Sequence, residues 1–387
     1  MQQSTTVFIS PTKIHHGYGS TSLTGSISSS LGITTALIVT DRGVVNAGLL
    51  EGILRSLAEK EIHCAVFDDV EEDPDVETVQ RGVSKLKRTN ANGVIAVGGG
   101  SPICAAKGVA LVATNGGEII QYEGPDRYSS PPLPVVAIPT TAGSGSDVSR
   151  WFVLHSKNEQ RTFVVGGDAC FPRASILDPL LLATLPKWQF IVSGVDALTH
   201  AVEALWTENA NPLTDAIAFE SIALIMGNLP RAALTGDMEA KSRVHLAASM
   251  ANIACGNAGL GIVHAMTLNY AIRLPHGLQN GILLPYAMEY NLPACVAKLA
   301  RMAVVIGEQT SGLTDPELAA RAIYRVKRLF VELGFPAKFQ ESDVRRELIP
   351  AMARYSAEQV HAKLNIRRTD ENEIASLFHR SLEGWTL

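Results

Sequence analysis

Asp196 and His200 lie four residues apart in the segment GVDALTHAVEAL, which its apolar residues and good helix formers predict to be a buried helix. The spacing places the carboxylate and the imidazole on one face of that helix. The pair could form a satisfied hydrogen bond inside the core. The same two side chains could equally supply two ligands of a divalent metal ion.

Two further histidines favour the metal site. His264 lies in GNAGLGIVHAM, on another predicted apolar helix, and His276 opens a third helix in LPHGLQNGILLP. One carboxylate and three imidazoles form a mixed oxygen and nitrogen donor set that accepts Zn, Fe, Ni or Co. Four such residues in apolar or glycine-flanked segments are hard to explain as unrelated polar groups of the core. We therefore predict a metal site with the ligands Asp196, His200, His264 and His276.

The part of the chain that precedes these predicted helices has a different pattern. The first 180 residues alternate between strand and helix signals, which predicts a mostly parallel sheet with right-handed crossovers. The expected strands are 34–41, 63–70, 92–102 and 134–147, and the expected helices are 45–60 and 74–88, the second with Pro74 in its first turn.

Helical patterns dominate the second half of the chain. We expect helices at 190–206, 212–228, 238–270, 276–290, 294–307, 315–333, 342–354 and 371–383. The patterns thus predict an α/β domain with a mostly parallel sheet at 1–181, followed by an all-helical domain at 182–387. A cleft between the two domains is the expected ligand site.

Small residues follow two of the predicted strands. Glycines after a strand let backbone N–H groups approach a phosphate, and the start of the next helix adds partial positive charge. Two such loops on neighbouring strands would frame one crevice at the carboxyl edge of the sheet. Tight turns without a ligand are the alternative. The candidate cofactor-binding residues in the two loops are Gly98, Gly99, Gly100, Ser101, Thr140, Thr141 and Ser144.

Asp41 ends the first predicted strand, where an acidic residue would hold an adenosine ribose and repel a 2′-phosphate. An ordinary turn aspartate is the other interpretation of this residue.

The bulk composition limits the partners. The 387-residue chain is 46% hydrophobic and carries a net charge of −5, which argues against nucleic acid. We expect no membrane span, because no run of 18 apolar residues occurs, and no signal peptide. The five cysteines include no CxxC pair, which favours free thiols in the cytoplasm. We also expect a homodimer or a larger homo-oligomer.

The chain resembles the iron-containing, or group III, alcohol dehydrogenase family over nearly its whole length. The motifs that carry the resemblance are GGGSP at 98–102, PTTAGSGSD at 139–147, DPLLLATLP at 178–186, GVDALTHAVEA at 194–204, NPLTDAIA at 211–218, GNAGLGIVHAM and LPHGLQNGILLPYAMEYN. The resemblance implies that the four predicted ligands hold Fe²⁺, or Zn²⁺ or another divalent metal. It also implies a reversible oxidation of an alcohol to an aldehyde or ketone with NAD(P).

The resemblance implies that 1–181 is a dinucleotide-binding domain with a Rossmann-like parallel sheet and that 182–387 is an all-helical metal-binding domain. It also assigns further residues. It places the two glycine-rich loops on the cofactor, and Asp41 then favours NAD over NADP. It also places Trp151, Cys255 and His361 near the substrate, although a surface-loop histidine is a common alternative for His361.

Three positions depart from the family pattern. Leu268 replaces a histidine of the HAMxH motif, Cys104 replaces an aspartate after GGGSP, and Thr162 stands where a lysine is usual. We expect an NAD-dependent, metal-dependent oxidoreductase acting on a small alcohol. The alternatives are a glycerol or polyol-type dehydrogenase of the same fold, and a metal- and nucleotide-binding regulatory protein of low activity.

Overall fold

The computed structural model describes residues 5–387, which form two compact units. The α/β unit is Ser10–Pro186, and the helical unit is Lys187–Leu387 together with residues 5–9. The division therefore falls five residues after the boundary expected from the sequence. The short turn Pro179–Leu182 belongs to the α/β unit. At the other end of the chain, the Ile9 backbone is held by Asn257, because the Asn257 side chain accepts from its N–H and donates to its carbonyl oxygen.

The strands of the α/β unit are β1 (Lys13–His16), β2 (Thr35–Val39), β3 (His63–Phe67), β4 (Gly93–Gly98), β5 (Gly124–Pro125), β6 (Val135–Pro139), β7 (Trp151–Ser156), β8 (Arg161–Gly166) and β9 (Ala174–Leu177). A six-stranded parallel sheet forms the centre of the unit, in the order β1-β9-β6-β4-β2-β3. The antiparallel pair β7 and β8, with the short β5, makes a second sheet.

The central strands β2, β4 and β6 are apolar runs because both faces of the sheet are covered. Successive side chains enter opposite cores: Val94 packs on one face, and Ile95 on the other. The helices of this unit are α1 (Thr24–Ser30), α2 (Arg42–Asn46), α3 (Glu51–Ala58), α4 (Val76–Thr89) and α5 (Gly100–Asn115).

The structure corrects two elements of this unit. The helix expected at 45–60 is two helices, α2 and α3, separated by a turn at Gly48, whose φ of 70° is unfavourable for other residues. Pro74 precedes α4 rather than opening it, because Asp75 is the N-cap and its carboxylate accepts from the Thr78 N–H. The fold class itself, a parallel sheet followed by a helical domain, is confirmed.

The helical unit has nine helices within the described residues. They are α6 (Lys187–Leu205), α7 (Pro212–Thr235), α8 (Met238–Ala258), α9 (Ile262–Thr267), α10 (His276–Val305), α11 (Asp315–Leu333), α12 (Ile349–Glu358), α13 (Val360–Leu364) and α14 (Glu371–Glu383). The helix expected at 238–270 breaks at Gly259, whose φ is 89°. The helices expected at 276–290 and 294–307 are two segments of α10 that meet at a kink at Cys295, where the backbone is not helical (φ −134°, ψ 28°).

By length and composition, α7 could cross a membrane, but half of its most apolar window is buried inside the unit. Core helices of globular proteins can have the same length and composition, and α7 packs against α6 and α8.

Lys107 is a buried cation of α5 that supports the loop after β6. Its Nζ donates to the carbonyl oxygen of Ser149 at 2.6 Å and to that of Trp151 at 3.3 Å. Burial lowers the pKa of Lys107 to about 8, and the nearby Cys104, Cys170 and Asp147 act in the opposite direction.

We expect Lys107 to make stability depend on pH. Between pH 8 and the ordinary lysine pKa of 10.5, the unfolded chain binds the proton more tightly than the folded protein, so the free energy of unfolding rises with pH. Relative to Lys107→Met, the wild type should gain on the order of 2 kcal/mol from pH 8 to pH 10 in urea unfolding. Lys87→Met, at an exposed site of α4, should show no such change. A constant difference between wild type and Lys107→Met would contradict the buried cation.

Candidate metal centre and nucleotide-binding loops

Helix α6 brings Asp196 and His200 to one buried face, as their spacing predicts. Both residues are 6% exposed, and His200 Nε2 lies 4.0 Å from Asp196 Oδ1. Every residue of α6 from Gly194 to Leu205 is buried. The two polar side chains therefore need hydrogen-bonding or charged partners inside the protein.

The other two predicted ligands come from neighbouring helices. His264 lies in α9, and its ring stacks on that of His200 with centroids 4.8 Å apart. His276 is the first residue of α10, and its ring meets the His264 ring edge-on at 5.3 Å. One donor atom each from Asp196, His264 and His276 lies within 4.8 Å of the other two. The structure thus brings all four predicted residues into one cluster.

Asn280 of α10 lies at the centre of this cluster and was missed by the sequence analysis. Its amide nitrogen lies 2.7 Å from Asp196 Oδ1, 3.1 Å from His264 Nε2 and 3.0 Å from His276 Nε2. Thr267 Oγ1 donates to the amide oxygen at 2.8 Å, which fixes the orientation of the amide. A signal for Asn280 was available, because it follows His276 by four residues on a helix and shares its face.

The ionisation of the cluster suits a cation. Burial alone would raise the pKa of Asp196, but the three imidazoles and the Asn280 hydrogen bond hold it below its ordinary value. Burial, and then the neighbouring His200 and His276, lower the pKa of His264 well below its ordinary value. Asp196 is therefore a carboxylate and His264 a neutral imidazole at neutral pH.

Asp196, His264 and His276 each direct an acceptor atom at the Asn280 amide nitrogen. Acceptor atoms arranged in this way can also bind a metal ion. The donor set combines one carboxylate with imidazole nitrogens, which is the chemistry that Fe²⁺ and Zn²⁺ accept in proteins. The residues present therefore fit a divalent metal.

Two further predicted residues lie in the helical unit with this cluster. Cys255 of α8 is 4% exposed, and burial, with the charges of Glu203 and Asp196, raises the pKa of its thiol. His361 of α13 lies close enough that Glu203 and His276 act on its pKa, which burial lowers. Cys255 is therefore a neutral thiol, and His361 a neutral imidazole near the cluster.

The two glycine-rich loops of the α/β unit touch each other. They follow β4 and β6, which are adjacent parallel strands. A side chain at Gly99 would meet Thr141 at 3.3 Å, and one at Gly100 would meet Ser144 at 3.1 Å. Both loops therefore lie at the same carboxyl edge of the sheet. The Ser101 hydroxyl accepts from the N–H of Asp73, and the Thr140 N–H donates to the Gly98 carbonyl oxygen.

Asp41 also lies at this edge, at the end of β2. One carboxylate oxygen accepts from the Val44 N–H at 2.9 Å and caps α2. The other oxygen would lie 3.2 Å from a side chain at Gly98. Asp41 thus caps a helix and lies beside the first glycine-rich loop.

Comparison with known proteins identifies the chain. Residues 11–179 match the sequence model of the iron-containing alcohol dehydrogenases, and residues 190–382 match that of the C-terminal part of the Fe-containing alcohol dehydrogenase family. The chain belongs to the iron-containing alcohol dehydrogenase family. It is 36% identical to the 1,3-propanediol dehydrogenase of Klebsiella pneumoniae, over 97% of this chain and 98% of that protein.

Two more relatives agree with this assignment. The NAD-dependent methanol dehydrogenase of Bacillus methanolicus is 34% identical over 98% of this chain and its own full length. The crystal structure of a 1,3-propanediol oxidoreductase, 36% identical, superposes with a TM-score of 0.95 over 98% of this chain and all of that one. The predicted family, its oxidoreductase activity on alcohols, and its dependence on iron and NAD are confirmed.

The three departures from the family pattern have distinct surroundings. Leu268, half-buried, ends α9 one residue after Thr267. Cys104 Sγ lies 3.9 Å from the Ser146 hydroxyl, beside the loop after β6. Thr162 pairs with His155 in the β7–β8 hairpin.

The aromatic and cationic neighbours of that hairpin belong to the α/β unit. Trp151, predicted near the substrate, opens β7 under the guanidinium of Arg150, which lies 5.4 Å from the ring centre. The neighbour of Thr162, Arg161, forms two hydrogen bonds with Glu123, at 2.8 and 2.9 Å.

We expect the clustered donors to be necessary for metal binding. His264→Ala or His276→Ala should reduce the metal content after anaerobic purification to under about a tenth of the wild-type value, because each removes one donor. Asp196→Asn should weaken binding because an amide cannot offset the charge of the cation. Elemental analysis measures the metal, and circular dichroism checks the fold. The exposed His379→Ala is the control. Stoichiometric metal and full turnover in His264→Ala would refute the assignment.

Proposed function

We propose that the protein interconverts a small primary or secondary alcohol and its aldehyde or ketone with NAD and a divalent metal, Fe²⁺ in the first instance. The observation that carries the proposal is the convergence of Asp196, His264 and His276 on one point in a chain of this family. The named relatives act on propanediol and methanol, which supports a small alcohol as the substrate class. NADH oxidation with aldehydes of increasing length tests the proposal, and a lack of turnover with all of them would refute it.

Four residues of the helical unit would bind the metal. Asp196, His200, His264 and His276 would hold the metal, which supplies Lewis acidity toward the alcohol oxygen while NAD supplies the hydride acceptor. The buried carboxylate of Asp196 offsets part of the charge of the cation. Asp196 lies in the buried part of α6, away from bulk water. The attraction between its carboxylate and a metal cation is therefore stronger than it would be in water.

The two loops at the carboxyl edge of the sheet would hold the cofactor. Backbone N–H groups at the start of α5 can meet the pyrophosphate, because its N-cap, Gly99, offers no side chain in their place. The contact of Gly99 with Thr141 joins the two loops in one binding surface. The carboxylate of Asp41 beside Gly98 supports a ribose contact and a preference for NAD.

Removal of the Asp41 charge should relax the preference for NADH over NADPH. A carboxylate beside a 2′-phosphate costs on the order of 1–3 kcal/mol. Asp41→Gly and Asp41→Asn should therefore both raise the kcat/KM for NADPH relative to NADH by roughly 5- to 150-fold. The asparagine can keep the helix cap, so it separates the effect of charge from that of capping. Asp68→Gly, at an exposed site after β3, is the control. A wild-type enzyme that prefers NADPH would contradict this role.

We propose that His361 accepts the proton of the alcohol, since Leu268 stands where the family pattern has a histidine. Its Nδ1 is buried and has no hydrogen-bond partner among residues 5–387. Burial lowers its pKa, so the neutral ring can accept a proton over most of the physiological range. Its helix, α13, packs against α9, the helix that carries His264, which supports a position beside the metal cluster.

We expect His361→Ala to lower kcat by roughly 10²-fold or more, because one general acid–base group is worth about 10²–10⁴ in rate. The wild-type rate of alcohol oxidation should fall below the lowered pKa of His361, and the variant should lose this dependence. Metal content should not change, and Leu268→His should partly restore the rate. His379→Ala is the matched control. An unchanged kcat and pH profile in His361→Ala would leave His361 a structural residue.

We also propose a cytoplasmic homo-oligomer that binds neither nucleic acid nor membrane. The net charge of −5 and the partial burial of α7 support the last two expectations. Light scattering of the purified protein tests the oligomeric state.

A further inference from the structure

Glu203 is a fully buried acid that the proposed mechanism does not use. It lies on α6, one turn after His200, and is 0% exposed. One carboxylate oxygen accepts from the Val263 N–H at 2.8 Å. The other accepts from the His264 N–H at 3.3 Å and lies 2.7 Å from His264 Nδ1. One side chain of α6 therefore meets both the backbone and the ring of a predicted metal ligand.

The backbone before α9 is shaped for this contact. Gly261 is the N-cap of α9 and has no side chain to satisfy the first N–H groups of that helix. A side chain at Gly261 would come within 2.9 Å of Glu203 Oε1 and 2.7 Å of Trp206 Nε1, so only glycine lets the segment approach so closely. Glu203 thus takes the place of a local capping residue.

Two contacts together decide which ring nitrogen of His264 carries the hydrogen. Thr267 donates to the Asn280 amide oxygen, so the amide nitrogen faces the cluster. An amide nitrogen only donates, and a hydrogen on His264 Nε2 would face this donor at 3.1 Å, so Nε2 is the acceptor. The neutral ring then carries its hydrogen on Nδ1 and donates it to Glu203.

We propose that Glu203 is a positioning residue that holds His264 in the tautomer and ring orientation required of a metal ligand. The carboxylate draws the ring hydrogen to Nδ1 and leaves the Nε2 lone pair directed at the cluster. Through the same side chain, α6, which carries Asp196 and His200, is joined to α9. This inference rests on the proposed role of His264 as a ligand. Ligating histidines commonly have such a partner, whose loss costs about 10- to 100-fold in metal affinity.

The sharpest test replaces Glu203 by glutamine, which has nearly the same shape. The glutamine amide would point its N–H₂ group either at His264 Nδ1 or at a backbone N–H. In each orientation a donor faces a donor, so one of the two contacts is lost. Glu203→Gln should lower the affinity for Fe²⁺ or Zn²⁺, measured by chelator competition, by about 10- to 100-fold. In ¹⁵N-histidine NMR of the metal-free protein, part of the His264 signal should move from the Nδ1–H to the Nε2–H tautomer.

Asn365 provides a matched control for the packing of α9. Its side-chain oxygen accepts from the Ile262 N–H at 3.3 Å, and the structure records no contact of this residue with the His264 ring. Asn365→Ala should lower the melting temperature but leave the tautomer unchanged and the metal affinity within about twofold. An equal loss of affinity in Asn365→Ala and Glu203→Gln would show that Glu203 only supports the helix and would overturn the proposal.

The wild-type protein gives an independent result if Glu203→Gln does not fold. Its metal-free form should show the His264 hydrogen on Nδ1, with the signal identified by its absence in His264→Ala. A hydrogen on Nε2 would overturn the proposal. If His264→Ala keeps its metal while the wild-type ring has the expected tautomer, the ligand assignment fails and the Glu203 contact stands.

Discussion

A buried point at which several lone pairs converge is the constraint on which the helical unit depends. Asp196 and His264 are buried, with exposed fractions of 6% and 4%, so their acceptor atoms depend on partners within the protein. An unsatisfied buried acceptor costs about 1–3 kcal/mol, and repulsion between neighbouring lone pairs adds to that cost. The Asn280 amide can satisfy buried acceptor atoms with its two hydrogens. A divalent cation can satisfy them with its positive charge.

This demand explains the polar residues around the cluster. The Thr267 hydroxyl lies 2.8 Å from the Asn280 amide oxygen, which it orients, and 3.5 Å from the His264 carbonyl oxygen. Glu203 likewise reaches the cluster through the ring of His264. Each added polar group satisfies the one before it, so none of them could be exchanged for an apolar residue without leaving a buried partner unpaired.

The α/β unit meets a different requirement with backbone rather than side chains. Its two loops come together because β4 and β6 are adjacent and parallel, so their carboxyl ends share an edge. Gly98 has a φ of 149°, and a side chain there would come within 2.5 Å of Pro102. Glycine is therefore needed to turn the chain from β4 into α5, and the same turn leaves the first N–H groups of α5 without a side-chain cap.

The sequence by itself determined the features that depend on local periodicity. The i, i+4 spacing of Asp196 and His200 predicted a shared face, and apolar runs predicted the central strands. The same spacing links His276 with Asn280, but an asparagine on a helix is usually solvated, so its role was missed. The break at Gly259 was also missed, since the helical pattern continues across the glycine.

Only the tertiary structure decided which distant residues meet. Residues 196, 264 and 276 lie on three helices, and periodicity within one helix carries no information about its distance from another. The tautomer of His264 depends on Glu203 and Asn280, which are 61 and 16 positions away. Donor and acceptor roles at such a site are set by geometry of a few tenths of an ångström, which arises only when the helices pack.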